Sequence, residues 1–280
     1  MKKAALLGLE KNNVWDFYNK IRYFKDEYNV EIVPFIYKKT DRKFYDTLQE
    51  KGHNPDDFLC AISVGGDGTF LYTSRVFAGT EVPVLGINKG HLGFNTNIEE
   101  SRFTDFFKKL LNGTADYEYK SLMDVAVEGS KNKDIVLNDG VISYSGISRT
   151  IKLRVEIKNN KINHFRGDGL IISTPTGSTG YNLSAGGPIL HPTVNAFVLC
   201  PICPLTLAIR PYIIPSDETI FVYIEEASSE CQLTLDGQKI IMLKLGDKII
   251  FKKSDKKVKI LKGGVTFSEI LEKKLHWMGK

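Results

Sequence analysis

The residues Gly65-Gly66-Asp67-Gly68-Thr69 have the composition of a phosphate-binding loop and follow an apolar segment. Glycines let a backbone approach an anion closely, and the N-terminus of a following helix turns unpaired N–H groups and the positive end of its dipole toward that anion. A carboxylate beside phosphate is unfavourable unless it binds a cation or accepts a proton. Asp67 therefore favours phosphoryl transfer, with its carboxylate as the catalytic group. The alternative is a tight turn in which Asp67 only caps the helix.

A second run of small polar residues follows the apolar segment Leu170-Ile171-Ile172. It reads Ser173-Thr174-Pro175-Thr176-Gly177-Ser178-Thr179-Gly180-Tyr181, and Ser184-Ala185-Gly186-Gly187-Pro188 comes shortly after it. Hydroxyl groups among glycines offer hydrogen-bond donors and acceptors with little bulk, which suits a flat purine and its ribose. Such a cluster by itself is typical of a loop. Its length, and its position directly after a predicted strand, favour a binding site.

Strand and helix signals alternate over about the first 113 residues, which carry the glycine loop. Apolar segments predict strands at residues 4–9, 30–37, 58–64 and 82–87, and helical spacing or composition predicts helices at residues 14–28, 41–50, 69–78 and 103–111. This order is typical of an α/β domain with a parallel sheet. Ligands bind such sheets at the carboxyl ends of the strands, where the loops at residues 65–69 and 88–95 are expected.

Beyond about Tyr117 apolar residues recur at every second position, as in residues 151–157, which predicts antiparallel β structure. Further strands are predicted at residues 220–225, 231–235, 240–245 and 248–252. A last helix, at residues 268–277, must bury its apolar side chains and is expected to pack back on the first domain. We therefore predict an α/β domain over residues 1–115 together with 262–280, and a β-rich domain over residues 116–261.

The composition describes an ordinary soluble protein and excludes several classes. The 280 residues are 42% hydrophobic and 25% charged, and 38 Lys and Arg against 33 Asp and Glu give a net charge of +5. The lysines between Lys252 and Lys262 are interpreted as a solvated surface, and no basic face interleaved with aromatic residues indicates nucleic acid. No segment approaches the ~20 apolar residues of a membrane span. The protein is predicted to be cytoplasmic, with its four cysteines buried and reduced rather than bound to metal.

Four motifs resemble those of the NAD kinases, in the order found in that family. They are Gly65-Gly66-Asp67-Gly68-Thr69, Leu137-Asn138-Asp139, the segment from Gly169 to Thr179, and Leu183-Ser184-Ala185-Gly186-Gly187-Pro188-Ile189. The resemblance covers about residues 58 to 240. It implies an α/β domain followed by a β-rich domain, with the active site in the cleft between them. It also implies transfer of the γ-phosphate of ATP, or in some members of polyphosphate, to the 2′-hydroxyl of the adenosine ribose of NAD.

The same resemblance implies roles for individual residues. Asp67 would accept the proton of the 2′-hydroxyl, and Gly68 would line the ribose. Asn138 and Asp139 would hold ribose and neighbouring groups, while Asp168 and Thr176 would hold the adenine edge. Gly65, Gly66 and Thr69 would complete the phosphate loop. Further substrate contacts are implied at His91, Phe94, Arg149, Arg166, Thr179, Gly180, Tyr181, Asn182, Leu183, Ser184 and Gln238, although a structural role is equally favoured for His91 and Phe94.

The implied partners are NAD and ATP, with a divalent cation, Mg²⁺, bridging the donor phosphates. Mg²⁺ takes few protein ligands, so no metal-binding residues are predicted. A homodimer or homotetramer built on the β-rich domains is also implied.

Three positions depart from the family pattern. Asp139 stands where Glu is usual, Gly180 where Ala is usual, and Leu205 where His is common.

Two other classes of protein compete with a dinucleotide kinase. Lipid kinases of the diacylglycerol and sphingosine types, and more distantly phosphofructokinases, share the Gly-Gly-Asp-Gly loop. The Thr-Pro-Thr-Gly-Ser-Thr run favours a dinucleotide over a lipid or a sugar. A non-catalytic nucleotide sensor would be expected to lose Asp67 rather than keep it.

Overall fold

Alternating strands and helices build the first of two units in the computed structural model. The structure describes residues 1–10, 14–37, 48, 52–89, 92–96, 98–130, 133–146, 150–158, 160–227 and 230–276. The first unit comprises Met1–Lys120 and Lys257–Lys280, and the second comprises Ser121–Lys256. The chain leaves the first unit within one long strand and re-enters it within another, β6 (Tyr117–Val127) and β17 (Lys248–Leu261).

The first unit contains a parallel sheet, as the alternation of elements predicts. Its strands lie in the order β2-β1-β3-β4, and neighbouring strands are parallel throughout. The elements of this unit are β1 (Lys2–Leu9), α1 (Val14–Ile21), α2 (Phe24–Tyr28), β2 (Val30–Tyr37), β3 (Cys60–Val64), α3 (Asp67–Val76), β4 (Val84–Asn88), β5 (Ile98–Glu99), α4 (Phe103–Leu111) and α6 (Phe267–Leu275). All residues of β3 and β4 are buried, because helices cover both faces of such a sheet.

Two of the predicted helices differ in the structure. The helical spacing over residues 14–28 covers α1 and α2, two helices separated by Arg22 and Tyr23, rather than one. Helix α3 starts at Asp67, two residues before the predicted start. The helix predicted at residues 41–50 lies outside the described residues apart from Leu48, which is helical and buried.

Helix α4 matches its prediction and shows why the spacing was informative. Its apolar stripe, Phe103, Phe106, Phe107 and Leu110, is buried in the core of the first unit. Gly113, with φ +70°, follows the helix in the left-handed conformation that commonly ends helices.

The second unit is antiparallel β structure in two sheets. A six-stranded sheet has the order β13-β12-β11-β8-β15-β16, and a second sheet contains β10-β9-β14-β17 with β6 and β7. The core of the unit contains residues from both sheets, such as Leu170 and Leu233 from the first and Leu153 and Val222 from the second. The further elements are β7 (Lys133–Val136), β8 (Asp139–Ser145), β9 (Ile151–Ile157), β10 (Asn160–Gly167), β11 (Gly169–Ser173), α5 (Tyr181–Ser184), β12 (Ala196–Ile202), β13 (Tyr212–Pro215), β14 (Ile220–Ala227), β15 (Glu230–Leu235) and β16 (Lys239–Leu243).

These two units confirm the predicted fold class, a parallel α/β unit followed by an antiparallel β-rich one. The final helix α6 belongs to the first unit, as expected. It starts with a capping box in which Thr266 accepts the N–H of Glu269 and the Glu269 side chain accepts that of Thr266. Within the described ranges, no helix is long and apolar enough to span a membrane.

Two predictions were wrong: the end of the last strand and the burial of one cysteine. Strand β17 continues to Leu261, nine residues beyond the predicted end, because Val258 and Ile260 are buried while the lysines around them project outward. Cys60, Cys200 and Cys231 are buried, as expected, but Cys203 is exposed.

Candidate active site

The glycine loop follows β3 and leads into α3 at the carboxyl edge of the parallel sheet. Gly65 has φ +147°, a conformation that side chains rarely adopt, and Gly66 is the N-cap of α3. Gly66 and Gly68 are exposed, and a Cβ atom added to either would meet no atom of the described residues within 4 Å. Packing against the described residues therefore does not require glycine at these two positions. The open space lies where an anion would approach the helix N-terminus.

Asp67 is fixed by the loop that follows β4. Its Oδ1 accepts the backbone N–H groups of Asn95 at 2.9 Å and Thr96 at 3.1 Å, and its Oδ2 accepts that of Phe94 at 3.0 Å. The Thr96 hydroxyl adds a contact to Oδ1 at 3.4 Å. These bonds hold a half-buried carboxylate at the start of α3, and they join the two loops that the sequence placed at the carboxyl ends of β3 and β4.

A tight turn over residues 93–96 supplies those N–H groups. The Gly93 N–H bonds the Thr96 carbonyl at 3.1 Å, and a Cβ atom on Gly93 would overlap the Asp67 carboxylate and the Thr96 hydroxyl. Glycine is therefore required here by the close approach of Asp67. The Phe94 ring lies 5.2 Å from Lys274 Nζ of α6. His91 lies outside the described residues.

In the second unit, Asn138 and Asp139 lie at the start of β8 and are held by a third residue, Asp236. The Asp236 carboxylate accepts the backbone N–H groups of Leu137 at 3.0 Å, Asn138 at 2.7 Å and Asp139 at 3.1 Å. Asp236 has φ +48°, and with Gly237 it forms the turn between β15 and β16. Sequence reasoning missed Asp236, because its bonds join segments about a hundred residues apart.

Asp139 is buried without a hydrogen-bond donor for its side chain among the described residues. It is only 5% exposed, and burial, followed by the charge of Asp236, raises its pKa from 3.8 to about 7. A carboxyl group with this pKa carries a proton in part of the population at neutral pH, so it can donate as well as accept a hydrogen bond. The Asn138 Oδ1 atom is also buried and unpartnered.

The hydroxyl-rich run lies beside these two residues. Thr174 is bonded to the carbonyl groups of Leu137 and Asn138, which places the run next to the start of β8. Thr176 is buried, and Thr179 and Gly180 are half-buried. Alanine is the usual family residue at position 180. Its methyl group would lie 3.2 Å from the Gly177 carbonyl oxygen and 3.3 Å from Asn138 Nδ2. Both distances are shorter than ordinary van der Waals contact, so alanine here would require these neighbours to shift slightly.

The members of helix α5 face different ways. Tyr181 is 48% exposed, and Ser184 is exposed while Leu183 is half-buried. Asn182 is fully buried, and its amide donates to the carbonyl groups of Ser178 and Pro188, both at 3.0 Å. Asn182 therefore holds the loop together from inside, whereas Tyr181 is available to a ligand.

A polar cavity of about 470 Å³ opens on the outer face of the six-stranded sheet. The pairing register places Val141 opposite Thr234 and Ser143 opposite Gln232, so these four side chains line one face in successive rows. Sequence reasoning missed Ser143, Gln232 and Thr234, whose position depends on the register between β8 and β15. The residues that line the cavity are Asn138, Asp139, Val141, Ser143, Tyr181, Gln232, Thr234, Asp236 and Gly237. Gln238 follows directly in the same turn.

Three other singled-out residues lie at the opposite end of β11. Asp168 precedes that strand, and its N–H bonds the Ile202 carbonyl at 2.9 Å. The exposed Leu205 donates its N–H to the Arg166 carbonyl, and Arg166 pairs with Glu226. Four residue steps along β11 span roughly 13 Å. Asp168 and Thr176 thus lie beyond opposite ends of β11, and the implied contact of both residues with one adenine stays a prediction. Arg149 lies outside the described residues.

By its fold, the chain is a two-unit protein in which a parallel α/β unit precedes an antiparallel β-rich unit. Residues 20–115 match the family model of the ATP-NAD kinase N-terminal domain, and residues 137–263 match that of the ATP-NAD kinase C-terminal domain. Together these matches cover most of the chain. The chain belongs to the NAD kinase family.

Relatives along the whole chain agree with this membership. An NAD kinase of Treponema denticola is 38% identical over 288 residues, which cover 100% of this chain and 98% of that protein. An NAD kinase of Aquifex aeolicus is 34% identical over 282 residues, covering 99% and 100%.

Solved structures show the same fold. An NAD kinase from Archaeoglobus fulgidus in complex with ATP has a TM-score of 0.78 and 25% identity, over 97% of this chain and 98% of that one. Yeast NADH kinase in complex with NADH has a TM-score of 0.85 at 19% identity, over 100% and 89%.

Proposed function

We propose that this chain transfers the γ-phosphate of ATP to the 2′-hydroxyl of the adenosine ribose of NAD, forming NADP and ADP, with Asp67 as the base. The observation that carries the proposal is a fixed carboxylate at a helix N-terminus that is flanked by two glycines with open space above them. Family membership supports NAD as the acceptor.

The hydrogen bonds of Asp67 single out one oxygen as the proton acceptor. Among the described residues, Oδ1 receives two backbone N–H groups and the Thr96 hydroxyl, whereas Oδ2 receives only the N–H of Phe94. A carboxylate oxygen has two lone pairs, so Oδ2 retains one for the 2′-hydroxyl proton. The ribose oxygen forms the new bond to the γ-phosphorus, the bond from that phosphorus to the β–γ bridging oxygen breaks, and the electron pair leaves with ADP.

The second unit supplies recognition of the dinucleotide in this proposal. The cavity of about 470 Å³ is large enough for a nucleoside. Its floor offers the hydroxyl groups of Ser143 and Thr234 and the amide of Gln232, and one end offers Asn138 and Asp139. The exposed ring of Tyr181 at the rim can stack on a base. A polar floor of this kind suits a nucleoside better than the acyl chain of a lipid.

The divalent cation is a further part of the proposal. Phosphoryl transfer needs charge neutralisation on the donor phosphates. The described residues contain no group of three or more His, Cys, Asp or Glu side chains that could hold a metal. The remaining lone pair of Asp67 Oδ2 is assigned to the hydroxyl proton in this proposal, so the described residues hold no ion of their own. We infer that Mg²⁺ enters on the phosphates of ATP, and removal with EDTA followed by titration with Mg²⁺ or Mn²⁺ tests this.

Assembly and location complete the proposal. The six-stranded sheet exposes apolar side chains on both edge strands, Tyr212 and Ile213 on β13 and Ile240 and Met242 on β16. Exposed apolar edges favour association with another chain, which supports a homodimer or homotetramer. The free buried thiols suit a reducing compartment, which supports a cytoplasmic location.

The decisive experiment measures NADP formed from NAD and ATP with Mg²⁺, with polyphosphate as the alternative donor and a lipid and sugar panel as alternative acceptors. Asp67→Asn should lower kcat by about 10²-fold or more, the range for loss of a general base, while the Kd for NAD changes little. The matched control is Asp16→Asn, which alters an exposed aspartate in the first turn of α1. Near-normal turnover by Asp67→Asn would remove Asp67 from the role of base.

A further inference from the structure

Lys120 is a buried lysine beside the turn that holds Asp67. It lies in the first part of β6, is 8% exposed, and donates from Nζ to the Asn95 side-chain oxygen at 3.0 Å. Among the described residues, the carboxylate that pairs with it is that of Glu118, at 3.7 Å and 38% exposed. Burial lowers the pKa of Lys120, while the charges of Glu118 and Asp67 act in the opposite direction.

The stability of the fold does not account for a lysine at this position. Removing an ammonium group from water is unfavourable by several kcal/mol, and a loose pair with a partly exposed carboxylate offsets little of it. An apolar side chain of similar length would fill the same volume without that penalty. The contact that Lys120 does make well is the one to Asn95.

Asn95 connects Lys120 to the Asp67 carboxylate. The Asn95 side chain accepts from Lys120, and its backbone N–H donates to Asp67 Oδ1 at 2.9 Å. Asn95 is 6% exposed, so water does not compete freely for its amide. Two hydrogen bonds thus join a buried cation to the candidate base through one residue of the turn at residues 93–96.

We propose that Lys120 is a positioning residue for Asp67. Its ammonium group fixes the Asn95 side chain and thereby the backbone N–H groups of residues 94–96 that orient the carboxylate. The inference rests on the proposed role of Asp67 as base. The positioning itself can be measured without turnover.

The test compares Lys120→Met, Asn95→Ala and their double variant with the full-length protein. We expect Lys120→Met to lower kcat at least tenfold with KM values for NAD and ATP changed less than about threefold, because orientation of the base acts on the chemical step. Melting temperature should stay the same or rise. The double variant should lose no more kcat than the worse single variant, since both changes break one connection.

The control is Lys259→Met, which removes another lysine of the first unit. Lys259 pairs with Glu81 at 3.3 Å and lies over the Tyr117 ring. Within the described residues, none of its hydrogen bonds, ion pairs or ring contacts reaches the turn at residues 93–96. Its kcat should be unchanged. Equal kcat losses in Lys259→Met and Lys120→Met, or a normal kcat in Lys120→Met, would overturn the proposal.

Amide hydrogen exchange of residues 92–96 distinguishes failure of this inference from failure of the proposed function. Faster exchange in Lys120→Met than in the wild type and in Lys259→Met supports positioning even in a protein that makes no NADP. Unchanged exchange at these amides contradicts positioning even if the wild type is a fully active kinase.

Discussion

Two aspartates of the candidate site lie in different hydrogen-bonding environments. Asp67 accepts three backbone N–H groups of the turn at residues 93–96. Asp139 has no donor to its side chain in the described residues and is buried near Asp236, so its surroundings favour the neutral acid. A neutral carboxyl group can offer a hydrogen bond as well as accept one.

The raised pKa of Asp139 predicts how stability depends on pH. The folded protein holds this proton up to about pH 7, whereas the unfolded chain releases it near pH 3.8. The folded state therefore binds more protons between these values, and the free energy of unfolding falls as pH rises from about 4 to 7. Asp139→Asn removes the titration at nearly constant shape. We expect the melting temperatures of the two proteins to differ least near pH 4.5, and the variant to melt several degrees higher than the wild type at pH 8.

Melting curves of both proteins without ligand, from pH 4.5 to 8, check this expectation. Asp134→Asn is the matched control, because Asp134 pairs with Lys239 at 2.7 Å in the same unit. Loss of that pair should lower the melting temperature at pH 8 rather than raise it. A constant difference between Asp139→Asn and the wild type across the pH range would show that Asp139 does not titrate there.

Candidate site residues that stand in short motifs could be named from the sequence. The residues that contact them from distant parts of the chain could not. Asp67, Asn138 and Asp139 were identified because each stands in a short motif. Lys120 and Gln232 carried no such signal, since each gains its role from a residue that is distant in the chain. Asp168 and Thr176 were grouped by the resemblance, but the length of β11 separates them.

At the scale of elements, the entry into α3 combines a rigid turn with open backbone. Gly65 needs its positive φ for the turn, whereas Gly66 and Gly68 have no such requirement and face open space. The two kinds of glycine therefore have different reasons to be present. The first serves the fold, and the others leave room for a ligand.

Gly68→Ala tests that distinction. Because Gly68 lies in the first turn of α3 with no positive φ, and no described residue lies within 4 Å of an added Cβ atom, alanine should stabilise the protein by up to about 1 kcal/mol. The same methyl group occupies the space proposed for the ribose and phosphate, so kcat/KM for NAD should fall at least tenfold. Thermal melts and initial rates measure the two effects on one preparation.

Asn19→Ala provides the control for helix propensity. Asn19 is exposed on α1, so alanine should add similar stability with kcat/KM unchanged. Loss of both stability and activity in Gly68→Ala would instead assign that glycine to the fold.

Helices and strands were predicted correctly where the apolar periodicity was strong. Prediction failed where charged residues obscured that periodicity. The stripe of α4 and the alternation of β9 follow directly from burial of one face. The end of β17 was missed because lysines occupy its outward positions among the buried Val258 and Ile260. The break between α1 and α2 was missed because apolar residues continue at helical spacing across it.

At the scale of the whole molecule, each unit contributes a different part of the proposed reaction. The parallel sheet of the first unit presents the loops that carry Asp67, and the antiparallel sheet of the second presents the polar cavity. The order of elements was predictable because each sheet type has its own periodicity. The partners of the sheet edges were not, since an exposed apolar strand in one chain does not reveal what covers it.

The two apolar edges of the six-stranded sheet predict that the protein forms a dimer or a tetramer. On β16, Ile240 and Met242 are 60% and 52% exposed, and on β13, Tyr212 and Ile213 are 52% and 45% exposed. One two-fold interface gives a dimer, and two different two-fold interfaces in the same chain give a tetramer. Light scattering coupled to size exclusion, at micromolar concentration, should therefore return two or four times the chain mass of 31.5 kDa.

A single charge on each edge distinguishes the two assemblies, because a buried unpaired lysine disfavours the interface that contains it. If both edges are interfaces, Ile240→Lys and Ile213→Lys should each reduce a tetramer to a dimer. If only one edge is an interface, one of the two changes should reduce a dimer to a monomer. The change that leaves the dimer intact then lies on the edge that is not an interface. Lys244→Glu, an exposed change beyond the end of β16, controls for altered surface charge. A wild-type mass of 31.5 kDa would show that neither edge pairs with another chain in solution.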